Sequence, residues 1–581
     1  MIINGGTGER KKMISIHFKN NKFYIECPFS ENTFVDGMMS KRFHKGSRVW
    51  HALPVRLNAE YIKNMGPKFK VIMSPEAESE VSNILKKFGA RDEDFPDSYQ
   101  FKLKPLPHQL IGMKKAYPVS TMAILADVGT GKTKVALDIA YARYATGKIN
   151  KVLVIGLVSI KYNWQDEIIK NLGEKQNIHV LETSGPGKKR YEDWLGSKGL
   201  QWLIIGVESL SAGSAFELCS KFVDKNTMII LDESTSIKTH NSTRTEKCIE
   251  LGKKVKYKTI MTGTPITQGL IDFYSQFEFL DPNIIGVGDF YSFRNRYTVM
   301  GGYDNKIIIG YKNVEELTNI LEPYVFQVRK RDVLKDLPES SYINRIVEMT
   351  KEQVDLYKEL KNNMRIQLED KTLTVQNVMN MMQRFSEITG GYISYGVENT
   401  NPFTKEKKPI IYQKQRLKTA PKCIELMNFI SECNNDESII IWAVGKMEIE
   451  IIEEALKKKH GENCLVLMHG GIKGEERFEN LNKFNRGESR FLLGNQKSGG
   501  IGLNMTISHI MVYYSNDFSL EKRLQSEGRI ERIGQKHTML YVDIMCKGSI
   551  DLKVRAALKD KNDFAEIIRS SFNDGGLLNL I

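Results

Sequence analysis

The sequence predicts an α/β protein built from two parallel-sheet lobes. Two series of short apolar runs alternate with helix-sized segments, the pattern of parallel strands joined by crossover helices. Polar residues follow the ends of several runs, where parallel sheets bind ligands. The runs are 122–126, 151–156, 202–207, 228–231 and 258–261 in the first series, and 438–442, 464–468, 490–493 and 509–514 in the second.

Several domains are expected, because a chain of 581 residues is too long for one core. The first lobe is predicted at 101–280 and the second at 421–560. Residues 281–420 between them are richer in Met and Tyr and are expected to be a helical insertion. The remaining segments are a small basic α+β domain (1–74), a locally acidic linker (75–100) and a tail (561–581).

The charge balance favours a polyanionic partner, most simply nucleic acid. The formal net charge is +14, and residues 1–70 contribute +8 of it. No apolar run is long enough for a membrane span, and the first residues lack the apolar core of a signal peptide. None of the seven cysteines forms a C-x-x-C pair, so neither a zinc site nor a disulfide frame is indicated. A cytoplasmic protein is expected.

The basic N-terminal domain contains a candidate nucleic-acid surface. Residues 14–26 predict a β-hairpin, since apolar and polar residues alternate on both sides of Asn20-Asn21. A basic stretch with interleaved rings follows, and it holds Arg48 and Trp50. Cations and rings together suit phosphate contact and base stacking. The alternative is that Trp50 is simply a core residue of a small β domain.

The segment Ala126-Asp-Val-Gly-Thr-Gly-Lys-Thr133 follows an apolar run and precedes a helix-like stretch. A strand, a glycine-rich turn and a helix N-terminus form a phosphate cradle. Lys132 adds a positive charge, and Thr133 is placed to ligate Mg²⁺. The candidate nucleotide-binding residues are Gln109, Gly129, Thr130, Gly131, Lys132 and Thr133. Gln109, about twenty residues upstream, is placed to contact an adenine edge.

Asp232 and Glu233 directly follow the fourth apolar run. An enzyme that hydrolyses a nucleoside triphosphate needs carboxylates at this position. Asp232 is expected to hold Mg²⁺ through water. Glu233 is expected to orient and deprotonate the attacking water.

The second series ends in a basic segment that contains Arg529 and Arg532. Their i, i+3 spacing predicts a shared helical face, which suits a γ-phosphate whose charge grows during transfer. The alternative is a solvated basic helix. Upstream, the glycine cluster 498–506, with Gly499 and Gly502, allows close approach of the backbone to a ligand.

These segments together resemble the helicase motifs of superfamily two, and most closely its Swi2/Snf2 branch. The resemblance covers about residues 101–555. Its ordered motifs are ADVGTGKT (126–133), LVSIKYNWQDEI (157–168), GVESL (206–210), LDESTSIK (231–238), MTGTPI (261–266), SIIIWA (438–443), MHGGIKGEER (468–477), SGGIGLNMT (498–506) and QSEGRIERIGQ (525–535). The resemblance implies two RecA-like lobes with ATP between them and a motor that translocates on double-stranded DNA.

The resemblance also implies roles for individual residues. Lys132, Asp232, Glu233, Arg529 and Arg532 would be catalytic, with Mg²⁺ held by Thr133 and Asp232. Thr262 and Thr264 would couple the ATP site to DNA. The residues implied near the DNA backbone are Ser159, Lys161, Ser209, Gly499 and Thr506.

Two positions depart from the family pattern. Thr235 stands where the family usually has His, which puts coupling through this position in doubt, and Phe518 stands near the position of a family Trp. No RING, bromo- or chromo-like segment is evident, so a chromatin remodeller with histone-reading modules is not expected. The N-terminal domain faintly resembles the HARP-type domain of annealing helicases, which binds branched DNA.

The sequence therefore predicts a monomeric DNA-dependent ATPase of bacterial or phage type. Its expected role is remodelling of forks or junctions in replication, recombination or repair, by annealing, branch migration or fork regression. One alternative is a translocase that displaces proteins such as RNA polymerase from DNA. A degenerate ATPase that serves as a DNA-binding scaffold and an RNA helicase are the others.

Overall fold

The structure is a computed structural model, and it describes residues 13–28, 31–39, 41–89, 91–182, 185–211, 213–263, 269–301, 307–369, 375–400, 407–472, 474–496, 504–517, 519–556 and 558. Contacts divide these residues into two units. Among the described residues, the first contains 13–127 together with Gly131–Val328, and the second contains Val128–Thr130 and 329–558. Among the described helices, none has the length and apolarity to cross a membrane.

The N-terminal domain in the first unit is a mixed five-stranded sheet with helices packed on one face. Its elements are β1 (Ile14–Lys19), β2 (Lys22–Glu26), α1 (Asn32–Asp36), β3 (Arg42–His44), β4 (Val49–Ala52), α2 (Arg56–Phe69), β5 (Val71–Met73) and α3 (Pro75–Gly89). The strand order is β3-β4-β2-β1-β5. The predicted hairpin is confirmed, because β1 and β2 pair antiparallel and both turn asparagines have positive φ.

The domain extends beyond the boundary predicted at residue 74. Helix α3 lies in the segment expected to be a linker, but its Ala77, Val81 and Ile84 pack into the same core as Ile14 and Ile16. An apolar face on a helix must be buried, and the N-terminal sheet buries this one.

The rest of the predicted linker packs on the first lobe. Phe95 contacts Tyr117 with ring centroids 5.4 Å apart, and Asp92 accepts a hydrogen bond of 2.7 Å from the Tyr257 hydroxyl. Residues 91–101 are thus part of the surface of that lobe.

The first lobe contains a fully parallel seven-stranded sheet, with order β14-β6-β11-β10-β7-β9-β8. Its elements are α4 (Pro107–Ala116), β6 (Thr121–Ala126), α5 (Lys132–Ala145), β7 (Lys151–Gly156), α6 (Lys161–Leu172), β8 (Asn177–Val180), α7 (Gly185–Leu195), β9 (Gln201–Gly206), α8 (Ala215–Phe222), β10 (Thr227–Asp232), α9 (Thr243–Gly252), β11 (Tyr257–Thr262), α10 (Phe273–Leu280), α11 (Pro282–Ile285), α12 (Phe290–Tyr297), β12 (Thr298–Gly301), β13 (Ile307–Tyr311), α13 (Val314–Leu321) and β14 (Val325–Val328). All five strands predicted here are present.

The second unit contains a fully parallel six-stranded sheet, with order β15-β22-β21-β18-β20-β19. Its elements are α14 (Lys330–Val333), β15 (Ser340–Val347), α15 (Lys351–Glu369), α16 (Val375–Gly390), β16 (Tyr392–Thr400), β17 (Lys407–Arg416), α17 (Pro421–Glu432), β18 (Ile439–Trp442), α18 (Lys446–His460), β19 (Leu465–Met468), α19 (Gly474–Asn485), β20 (Phe491–Gly494), β21 (Ile510–Tyr513), α20 (Leu520–Glu527) and β22 (Met539–Cys546). The four predicted strands are present.

Residues 281–420 are not simply a helical insertion. Strand β14 pairs with β6 and completes the first sheet, while β15 pairs with β22 and begins the second. A separate two-stranded hairpin, β16 with β17, also lies in this region. Each sheet therefore draws an edge strand from the segment predicted to separate the lobes.

Candidate functional site

The phosphate loop lies between β6 and α5, as the sequence predicts. Gly129 and Gly131 have φ values of 91° and 85°, a left-handed conformation that side chains disfavour. At Gly131, which caps the N-terminus of α5, an added Cβ would lie 2.1 Å from Nε2 of Gln109. Only glycine fits there, and the loop backbone can therefore approach a phosphate closely at the positive end of a helix.

Gln109 lies beside this loop and is 4% exposed. Its Oε1 accepts a hydrogen bond of 2.9 Å from the backbone N–H of Leu106 and so caps α4. The oxygen end of the side chain is engaged at the start of its own helix, while the amide nitrogen faces Gly131. Contact with adenine stays a prediction for this residue.

Asp232 is the last residue of β10, and both of its carboxylate oxygens are held. Nε1–H of Trp164 donates to Oδ2 at 3.0 Å, and the backbone N–H of Glu233 donates to Oδ1 at 3.0 Å. Trp164 is 2% exposed and Asp232 is 7% exposed. The sequence showed Trp164 as part of a motif but gave it no role; the structure makes it the residue that orients Asp232.

Glu233 follows in a left-handed conformation, with φ 48°. Such a conformation costs on the order of 1–3 kcal/mol in a residue other than glycine and is concentrated at functional sites. Its Oε2 accepts a hydrogen bond of 3.4 Å from Oγ1 of Thr262, at the end of the neighbouring strand β11. Thr262 thus contacts the carboxylate expected to activate water.

These groups fit a nucleotide with Mg²⁺. In the sheet order, β11 is the only strand between β6 and β10, so the phosphate loop and Asp232 leave the same sheet edge about 10 Å apart. The metal donors implied are the Thr133 hydroxyl and the Asp232 carboxylate, hard oxygens of the kind that Mg²⁺ prefers. Each Asp232 oxygen keeps acceptor capacity for a metal-bound water, since an ionised carboxylate oxygen accepts more than one hydrogen bond.

The residues predicted near DNA in the first lobe lie in turns after strands. Ser159 is in a 3-10 turn (Val158–Ile160) after β7, and Ser209 is in another (Val207–Ser211) after β9. The two turns are tied together, because the Val158 N–H donates to Oε2 of Glu208 at 3.0 Å. Thr264 lies outside the described residues.

Lys161 begins α6 and is half-buried. Its Nζ donates to the carbonyl of Leu181 at 3.0 Å. Burial lowers the pKa of the Lys161 ammonium, although Glu182 and Glu208 act in the opposite direction. Since the Lys161 ammonium already donates to a backbone carbonyl, a DNA phosphate could accept only from its remaining N–H groups.

Arg529 and Arg532 do not share a helical face, contrary to the prediction. Helix α20 ends at Glu527, and both arginines lie in the turns that follow. Arg529 is 1% exposed. Nε–H of Arg532 donates to the carbonyl of Gly528 at 2.7 Å. Their orientation is thus set by the turn after the helix, not by helical periodicity.

A buried charge network supports this turn, and the sequence prediction missed it. Nη1–H of Arg523 donates to Oδ1 of Asp543 at 2.5 Å, and Nε–H donates to Oε1 of Glu527 at 2.6 Å. The guanidinium also lies 3.4 Å from the ring centroid of Tyr513. Burial alone would raise the pKa of Asp543, but Arg523 and Arg555 hold it below its usual value. The i, i+4 spacing allows the Arg523–Glu527 pair to be predicted from the sequence. The pairing of Arg523 with Asp543 on β22 depends on the tertiary fold and could not be predicted.

Thr506 is half-buried in a turn next to this region. The preceding residue, Met505, donates its backbone N–H to the carbonyl of Arg529 at 3.1 Å. Thr506 and Arg529 therefore lie on connected turns at one edge of the second sheet. Gly499, Gly502 and Phe518 lie outside the described residues.

In the N-terminal domain, the two candidate residues separate. Arg48 is exposed in the turn between β3 and β4, with φ 54°. Trp50 is registered with Ile25, which is fully buried, and it packs against the domain core. Residues opposite one another in a sheet point to the same face. The structure therefore favours the core interpretation of Trp50.

The sequence that forms this site matches two known protein families. The SNF2-related domain matches residues 106–390, and the helicase conserved C-terminal domain matches residues 421–534. The chain belongs to the Swi2/Snf2-type helicases of superfamily two. The α/β fold with two parallel-sheet lobes is confirmed as well.

Relatives of this Snf2-type chain include proteins from bacteria and yeast. It is 25% identical over 506 residues to the putative ATP-dependent helicase/translocase YwqA of Bacillus subtilis, covering 85% of this chain and 52% of that protein. It is 23% identical over 488 residues to the DNA repair and recombination protein RDH54 of Saccharomyces cerevisiae, covering 77% and 51%. The chain thus spans about half the length of these curated relatives.

A solved structure also resembles the chain. The SWI2/SNF2 ATPase core of Sulfolobus solfataricus in complex with dsDNA is 20% identical, with a TM-score of 0.37, over 83% of this chain and 96% of that one.

Proposed function

We propose that this Snf2-type chain is a DNA-dependent ATPase that translocates along double-stranded DNA. The observation that carries the proposal is the pair Asp232 and Glu233, each 7% exposed, at the same sheet edge as the phosphate loop. Asp232 is oriented by Trp164 and Glu233 is in contact with Thr262. This arrangement of two buried, oriented carboxylates argues against a degenerate ATPase.

In this proposal, each residue has a distinct task. The loop backbone and Lys132 bind the phosphates, and Thr133 and Asp232 hold Mg²⁺ in place. Bound Mg²⁺ neutralises charge on the phosphates during transfer. Glu233 accepts the proton of the attacking water, and Thr262, in contact with that carboxylate, couples the ATP site to DNA. Arg529 and Arg532 stabilise the charge that grows on the γ-phosphate.

The biological role proposed is remodelling of forked or branched DNA in replication, recombination or repair. Two observations support it. The relative RDH54 is a DNA repair and recombination protein, and a basic N-terminal domain packs on the first lobe. A bacterial cell or phage-infected host is the proposed compartment. The ATPase is proposed to act as a monomer.

The test is ATP hydrolysis by the full chain with no nucleic acid, single-stranded DNA, duplex DNA, forked DNA and RNA. We expect duplex and forked DNA to stimulate hydrolysis most. Stimulation by RNA alone would contradict the DNA assignment, and no stimulation by any nucleic acid would contradict the translocase. A triplex-displacement assay on duplex DNA then separates translocation from hydrolysis without movement.

Forked DNA also tests the remodelling role. Regression or annealing of a labelled fork is expected with ATP, and none without it. Removal of RNA polymerase from duplex DNA without fork remodelling would favour protein displacement instead.

A further inference from the structure

The N-terminal sheet has a second face, which carries the opposite chemistry to its core face. Alternate residues of a strand point to opposite faces, and the core takes Ile14, Ile16, Phe23 and Ile25. The residues between and beside them point away from the helices. They include His17, Lys19, Lys22, Tyr24, Arg42, His44 and His51.

Three rings on this outer face form a contiguous cluster, in which Tyr24 is tilted by 55° against His51. Tyr24 and His51 are direct partners across β2 and β4, with ring centroids 4.4 Å apart. His44 lies beside His51 at 5.8 Å and is nearly parallel to it, with an interplanar angle of 8°. Burial and the neighbouring His44 and Lys22 lower the pKa of His51, which favours the neutral form of its ring.

Helix α12 of the first lobe forms a second wall opposite this face. The groove between them has a volume of about 590 Å³. It is lined on the N-terminal side by Lys22, Lys41, Arg42 and His51, and on the helix side by Asp289, Tyr291, Ser292 and Asn295. Tyr291 is 58% exposed, and the guanidinium of Arg294 lies 5.2 Å from its ring centroid.

The two walls are held together by close packing near the groove. Gly286, just before α12, has φ 70°, and an added Cβ would lie 3.2 Å from the backbone nitrogen of Leu57 on α2. Arg296 on α12 contacts Sδ of Met39 at 3.7 Å and is itself fixed by Glu316 at 2.7 Å. The groove is therefore a feature of the folded first unit.

The charges in the groove favour an anion. Lys22, Lys41 and Arg42 line it against a single lining carboxylate, Asp289. Lys41 is already paired with Asp36 at 2.9 Å, so Lys22 and Arg42 are the cations that the groove offers to an anion. That carboxylate caps α12, because it accepts hydrogen bonds of 2.9 Å from both the backbone N–H and the hydroxyl of Ser292. Phosphates along a nucleic-acid backbone match such a row of cations.

We propose that this groove binds a single strand of DNA, with Lys22 and Arg42 on its phosphates and Tyr291 and the Tyr24–His51 pair against its bases. The exposed ring of Tyr291 and the half-buried rings of Tyr24 and His51 lie beside cations. Such rings suit a strand whose bases are free to unstack, since in a duplex the base faces are covered. This inference rests on the proposed function, because it supplies the single-stranded arm of a forked substrate. In this proposal the stacking groups are rings of the outer face and of α12, and not Trp50 as the sequence suggested.

The test is binding of the full chain, without ATP, to a fluorescent oligodeoxythymidylate of about 15 nucleotides, a length within the range of known single-strand sites. The variant Lys22→Ala/Arg42→Ala is expected to weaken binding and to reduce the magnitude of the slope of log K against log[salt] by about 1.4, because two phosphate contacts are lost. Lys63→Ala/Lys86→Ala is the matched control, since both lysines are exposed on helices that cover the other face. It should leave the affinity and the slope unchanged.

The ring contact has its own pair of variants. Tyr291→Ala is expected to lower the affinity about tenfold, the effect of losing one stacked base, while Tyr291→Phe should restore it because the ring is kept. An oligonucleotide with 5-iodouracil should cross-link to peptides containing Tyr291 or Tyr24.

Three results would overturn the proposal: equal affinity in the groove and control variants, equal loss for duplex and single-stranded DNA, or tighter binding of an RNA of the same length. Each is independent of hydrolysis. If no nucleic acid stimulates the ATPase, the proposed function fails while single-strand binding in the groove remains measurable.

Discussion

Two buried charged groups, Asp232 in the first lobe and Arg523 in the second, are held in different ways. In the first lobe, Asp232 is held by two neutral donors, the Trp164 indole and a backbone N–H. In the second, Arg523 is held by the carboxylates of Glu527 and Asp543. Neutral donors such as these orient a carboxylate without cancelling its charge. The charged network in the second lobe is self-contained, and we expect it to serve the turn that carries Arg529.

The sharpest way to test this division is to remove Arg529. Arg529→Ala is expected to reduce ATP turnover about 10³- to 10⁵-fold, the range for loss of an arginine that stabilises the transferring phosphoryl group. Nucleotide binding should persist, because the phosphates are bound by the loop backbone and Lys132 and not by Arg529. Steady-state hydrolysis and nucleotide titration measure the two effects.

Arg486→Ala is the control for this variant. Arg486 is an exposed arginine of the same lobe, paired with Glu479 and Glu488, and turnover should be unaffected. A fall of less than tenfold in Arg529→Ala, with the fold intact by circular dichroism, would remove Arg529 from the catalytic set.

Arg523 should matter for stability before it matters for catalysis. Arg523→Met leaves Asp543, which is fully buried, without its bidentate partner, and breaking such a pair costs about 3–5 kcal/mol. Hydrogen exchange should accelerate in β21 and β22, with β10 and β11 as the internal reference in the first lobe. Exposed pairs are worth only about 0–1 kcal/mol, so Arg486→Ala again serves as the control. Equal acceleration in both lobes would mean that the network does not act locally.

These differences also explain what the sequence could predict. Strands β6 and β10 are short apolar runs in the middle of a sheet, and buried central strands read as continuous apolar segments. The phosphate loop and Asp232 follow those runs directly, so their place at the end of a strand could be predicted from the sequence. The edge strand β15 is largely exposed and mixes polar with apolar residues, and its pairing with β22, almost two hundred residues away, leaves no local pattern.

The second-lobe arginines show the limit more clearly. An i, i+3 spacing predicts a shared face only where the helix continues, and α20 ends before Arg529. The glycine at 528 was visible as a possible stop. The hydrogen bonds that set the following turn involve Met505 and Arg532, and they depend on tertiary packing. The sequence left Trp50 open between a stacking and a core role for a related reason, because strand register decides which face a ring occupies.

Two carboxylates, Glu278 in the first lobe and Asp543 in the second, should contribute to stability with opposite pH dependence. Burial, opposed by Lys253, raises the pKa of Glu278 on α10 to about 7 from 4.5. The folded first lobe therefore binds more protons than the unfolded chain between pH 4.5 and about 7, and its stability falls as pH rises through this window. The pKa of Asp543 is lowered, so its contribution to the second lobe is present above pH 3.8 and is lost as pH falls.

Glu278→Gln isolates the first of these effects. The variant cannot titrate, so it should be more stable than the parent chain at pH 8, by at most ~3 kcal/mol for a shift of this size. Lobe-resolved hydrogen exchange between pH 5 and 8, corrected for intrinsic rates, is the measurement. An unchanged pH dependence in the first lobe would show that Glu278 does not control it.

The smallest effect tests how Asp232 is held. Trp164→Phe keeps an aromatic side chain but removes the N–H donor, and a hydrogen bond to a charged group is worth about 1.5–3 kcal/mol. We expect turnover to fall about tenfold and the Mg²⁺ concentration for half-maximal activity to rise, because Asp232 is no longer fixed for the metal. Trp202→Phe is the matched control: Trp202 is fully buried in the same lobe, and its Nε1 has no hydrogen-bond partner among the described residues. If both variants lose stability equally and neither changes the Mg²⁺ dependence, Trp164 contributes only to packing. A rise in the Mg²⁺ concentration for half-maximal activity in Trp164→Phe alone shows that the neutral donor positions the carboxylate.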